Sequence, residues 1–65
     1  MTGPRRRQVD IVKTAMHEFC VAAVIHDPAC AEYRRAEAVL DAAVRNASSA
    51  EYAIATAEHD AEHQG

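Results

Sequence analysis

The stretch from Ala29 to Ala61, ACAEYRRAEAVLDAAVRNASSAEYAIATAEHDA, decides the fold. Within it Ala29, Tyr33, Ala36, Leu40, Ala43, Ala47, Ala50, Ile54, Ala57 and Ala61 recur at alternating intervals of four and three residues, which places every member on one stripe of an α-helix. Seven of these ten are alanine, so whatever packs against the stripe comes close. The ladder predicts a helix that wants a partner surface. It names no substrate and no reaction.

Upstream, Val9, Val12, Met16, Phe19 and Ala23 mark the buried stripe of a first helix over about 4–26. Gly3 is placed to cap it, and Pro4 suits the first helical position because the N–H it lacks would be unpaired there. From Phe19 onward, Val21, Val24 and Ile25 widen the stripe until the helix is apolar almost all round, which predicts the hydrophobic centre at 19–25. Asp27-Pro28 then breaks the chain, since proline restricts the residue before it and Asp27 can accept hydrogen bonds from a following helical turn. So short a connection folds the second helix back antiparallel on the first.

The second helix either runs unbroken over about 28–62 or divides into 28–46 and 49–63. Ser48 with Glu51 three residues on fits a capping box that starts a third helix. Against a break, the segment Asn46-Ala47-Ser48-Ser49 holds no Gly or Pro, and the ladder keeps its phase from Ala43 through Ala47 to Ala50; continuity is the favoured expectation. At about 1.5 Å per residue the stripe Val9–Ala23 spans about 21 Å and the ladder about 48 Å. Half the ladder is then uncovered: on a continuous helix Ala47, Ala50, Ile54, Ala57 and Ala61 become the expected partner-binding residues, and on a broken one the segment folds back as the third member of a marginally stable bundle that still leans towards a partner.

A chain of 65 residues makes one small helical domain, 1–65, that buries only about 60% of the surface its unfolded form exposes. Much of its 49% hydrophobic share is alanine, so association is the expected source of further core. The net charge of −3 argues against a general nucleic-acid binder. It is unevenly spread: Arg5, Arg6, Arg7 and Lys13 form a basic head, Glu58, Asp60 and Glu62 an acidic tail. Both ends oppose the helix dipole, as expected of solvated ends or of ends that meet opposite charges on another chain. Two cysteines form no disulfide framework and suit a cytoplasmic protein. The apolar run at 19–25 is too short for a membrane span, and the interrupting charges argue against a secretory signal.

Metal chemistry has two candidate places. His17-x2-Cys20-x5-His26-x3-Cys30 contains the ligand types zinc prefers, but in a hairpin turning at Asp27 the two pairs sit more than a turn apart. At the tail, His59-Asp60-Ala61-Glu62-His63 matches H-x-x-E-H without the distant third ligand and cleft such enzymes need. No cofactor and no catalytic set are expected. The expectation is an all-α, non-enzymatic protein-protein interaction module, an antiparallel hairpin associating into a helical bundle as a homodimer or on a larger protein, with no membrane. The alternative is a metal-binding helical protein using His59 and His63, or His17 and Cys20.

Overall fold

A computed structural model describes residues 3–63, so the outermost positions of the expected 1–65 domain lie outside the described residues. The described chain is all-helical, with α1 at Arg6–Ile25, α2 at Ala31–Arg45 and α3 at Ser49–His63, and no strand among the described residues. Both α2 and α3 pack on α1 and make little contact with each other. Numbers fall along α2 as they rise along α1: the Gln8 side-chain amide donates to the Ala43 carbonyl at 3.1 Å, and Phe19 meets Tyr33 with ring centroids 5.2 Å apart. Along α3 the numbers rise with α1, since Arg6 pairs with Glu58 and Lys13 with Glu62. The resulting molecule is a shallow slab, 42 × 28 × 14 Å along its principal axes.

The unbroken helix over 28–62 does not form. Asn46 closes α2 by turning its side-chain amide back on the Ala42 carbonyl at 2.9 Å. Ser48 and Glu51 then complete a reciprocal box: the Ser48 N–H donates to Glu51 Oε1 at 2.9 Å, and the Glu51 N–H to Ser48 Oγ at 3.1 Å. Hydrogen-bond chemistry specific to these side chains outweighs the continuity of an alanine pattern, which carries little packing energy per residue.

Glu51 also serves the other helix. Its Oε2 accepts the backbone N–H of Arg5 at 2.6 Å and the Arg5 Nε–H at 2.9 Å, and its Oε1 accepts from Arg5 Nη2 at 3.0 Å. Arg5 Nη2 donates as well to the Asn46 carbonyl at 2.7 Å. Only 2% exposed, the carboxylate therefore closes the first turns of α1 and α3 together. This explains why α1 begins at Arg6 and not at Pro4: Arg5 is the residue before the first helical turn, and Gly3 and Pro4 lie outside the helix. A similar shift occurs at α2, where the Asp27 carboxylate accepts the Ala29 N–H at 3.1 Å. Pro28 thus belongs to a tight turn closed by the Cys30 N–H on the Asp27 carbonyl at 2.8 Å, and α2 starts three residues later than expected.

The core consists of Val9, Val12 and Ala15 from α1, Ala43 from α2 and Ala55 from α3, flanked by Met16, Leu40, Val44, Ala47 and Ile54. It sits beside the Glu51 anchor, not at 19–25. Phe19 is half-buried, and Val21, Val24 and Ile25 are exposed.

Candidate functional site

The end of the molecule away from Glu51 carries the chemistry. Because α3 starts beside Arg5 and has only 15 residues, its described end, His63, reaches no further along α1 than His17, with Nδ1 of His17 3.0 Å from Nε2 of His63. Eight residues of α1 beyond His17, about 12 Å of helix, extend past the described end of α3. Val21 is 41%, Ile25 68% and Val24 87% exposed there. Together with His17, Cys20 and His63 these three line an open apolar cleft. Both cysteines are free thiols, Cys20 exposed and Cys30 half-buried.

Three histidines gather at the rim. His59 and His63, one helical turn apart on α3, stack with centroids 4.2 Å apart, and His17 from α1 faces His63 at 5.2 Å. Each of the three offers a ring nitrogen within 4.8 Å of the others. Nδ1 of His63 is 2.8 Å from the carbonyl of its own helix at His59, while Nε2 of His59 is buried without a hydrogen-bond partner. Of the four ligand candidates in the sequence, the fold thus gathers His17, His59 and His63; Cys20 lies on the neighbouring cleft. A second group, His26, Cys30 and Glu32, sits across the turn into α2.

Charge holds the rim in place. Lys13 Nζ lies 3.0 Å from Glu58 and 2.7 Å from Glu62, and Arg6 Nη1 donates to Glu58 at 2.7 Å. These bonds hold the Glu58 carboxyl down to about 2, with Arg6 the larger cause and Lys13 the next, and raise both cations. Arg6 and Lys13 of the basic head therefore meet Glu58 and Glu62 of the acidic tail within one chain, because α3 lies parallel to α1.

The expected partner-binding residues divide. Ala47 and Ile54 pack against the protein's own core, whereas Ala50, Ala57 and Ala61 are exposed on α3. The inward face of α3 instead follows Glu51, Ile54, Ala55, Glu58 and His59, a phase set by the Glu51 anchor. No helix of the described residues is long and apolar enough to cross a membrane. Compared with known proteins, the chain matches no family model, no curated protein and no solved structure.

Proposed function

We propose that the protein is a small non-enzymatic interaction module that pairs with a second copy of itself through the uncovered end of α1, making a helical bundle from two shallow layers. The observation that carries this reading is the exposure of Val21, Val24 and Ile25 in a chain whose own core holds few large side chains. Complete burial of one such residue contributes about 1.5–3 kcal/mol, so three together rival the stability expected of a single core this small. Their spacing supports a self-complementary contact: Val21, Val24 and Ile25 stand at i, i+3 and i+4 as a ridge, directly beside the cleft that they help to line. A ridge next to a groove on one surface is what a two-fold, isologous interface requires. Ala50, Ala57 and Ala61 leave a second, flatter face for a larger protein partner, with little apolar area per residue.

Sedimentation equilibrium of the full chain from micromolar to millimolar concentration tests the reading. The parent is expected to dimerise, and Val24→Glu to remain monomeric with the same helical circular dichroism. A parent that stays monomeric throughout, or a dimer that survives Val24→Glu, overturns it.

A further inference from the structure

We infer that His17, His59 and His63 form a binding site for a divalent transition-metal ion of the zinc type, which clamps the end of α3 to α1. Imidazole is a ligand of choice for such ions, and three histidines with an open fourth position are an established zinc geometry. Adjacent nitrogens around a tetrahedral ion with bonds of about 2.0–2.1 Å stand roughly 3.3 Å apart. Nδ1 of His17 and Nε2 of His63 already lie 3.0 Å apart. The full set falls within 4.8 Å, a spacing that small side-chain adjustments bring into tetrahedral range.

Two further observations point to a ligand. Nδ1 of His63 donates its proton to the His59 carbonyl at 2.8 Å, which fixes the tautomer and leaves the Nε2 lone pair directed away from that bond; metal-bound histidines are oriented by such carbonyl contacts. Meanwhile Nε2 of His59 is buried with no partner, on a side chain only 13% exposed. Burying a polar atom without a hydrogen bond is costly, and a metal ion satisfies it. On binding, the ion takes the place of the hydrogen bond between His17 Nδ1 and His63 Nε2, and the single proton of the neutral His17 ring shifts from Nδ1 to Nε2. Lys13 lines a second, neighbouring pocket with these three histidines, but its charge is met by Glu58 and Glu62, so the rim does not repel a cation.

Titration of the untagged full chain with zinc chloride, followed by calorimetry and by thermal melting, tests the inference. One ion per chain is expected, with a raised melting temperature. His17→Ala, a change at an exposed position, should weaken binding at least tenfold and abolish the thermal shift, because it removes the only ligand on α1. Cys30→Ser should leave both unchanged. Binding that is undiminished in His17→Ala, binding lost in Cys30→Ser, or no binding by the parent overturns the assignment.

Discussion

The two ends of α1 are built in opposite ways. At its start, one buried carboxylate receives four donors and joins two helices and a turn; at its finish, three large aliphatic side chains stand in water beside unpaired thiols and clustered histidines. The basic, polar segment is thus the closed end, and the most apolar segment is the open one. Hydrophobicity along a single helix indicates what seeks burial, but the neighbouring helices decide what obtains it. Here their placement is set by polar chemistry at Glu51.

The closed end depends most strongly on Glu51. Glu51→Ala leaves the N–H groups of Arg5 and Ser48 without their acceptor and the Arg5 guanidinium with the Asn46 carbonyl alone, and leaving part-buried donors unpaired is costly. The melting temperature should fall by roughly 10 °C or more for a domain this small, with α3 separating from α1. A midpoint within a few degrees of the parent would mean that water replaces the carboxylate and the closed end is not anchored there.

Much of the closed end was legible in the sequence and much of the open end was not. The Ser48–Glu51 box, the turn at Asp27-Pro28 and the inward positions of Val9 and Val12 follow from spacing and side-chain chemistry. Arg5 on Glu51, 46 residues apart, does not, because no local pattern marks a long-range ion pair. The mismatch in helix length is legible in the sequence, but its outcome is not. With α3 folded back at 46–48, Ala50, Ala57 and Ala61 stay exposed on α3, and the large aliphatic side chains at the end of α1 stay exposed as well. Likewise His17, His59 and His63 meet only because α3 runs parallel to α1, which their spacing could not reveal.

Next in size is the core beside the anchor. Val12 is fully buried, so Val12→Ala should cost about 2 kcal/mol, read by thermal or urea unfolding. Val24→Ala at the other end of the same helix should change monomer stability by less than about 0.5 kcal/mol. Equal losses at the two sites would erase the distinction between the ends.

Acid sharpens the contrast more gradually. The Glu51 carboxyl is held down from its ordinary 4.5 to about 2, chiefly by the Arg5 hydrogen bonds and then by the Ser48 N–H, and Glu58 is held down to about 2 by Arg6 and Lys13. Because both values are depressed on folding, the unfolded chain takes up protons first as acid is added. The stability these groups contribute is present above pH 4.5 and is lost as pH falls from 4.5 towards 2. Melting temperatures across pH 2–7 should show that decline, and Glu51→Gln should make it shallower. A midpoint that stays level through this window would show that neither carboxylate is bound more tightly in the folded protein.

The central claim, that the molecule is closed at one end and pairs through the other, is tested most directly by amide chemical shifts followed by NMR as the protein is diluted from millimolar to micromolar concentration. Shifts confined to α1 beyond His17 and the turn into α2, with residues 5–9 and 46–51 unmoved, are the predicted result. Shifts centred on Ala50, Ala57 and Ala61, or none at any concentration, would contradict it.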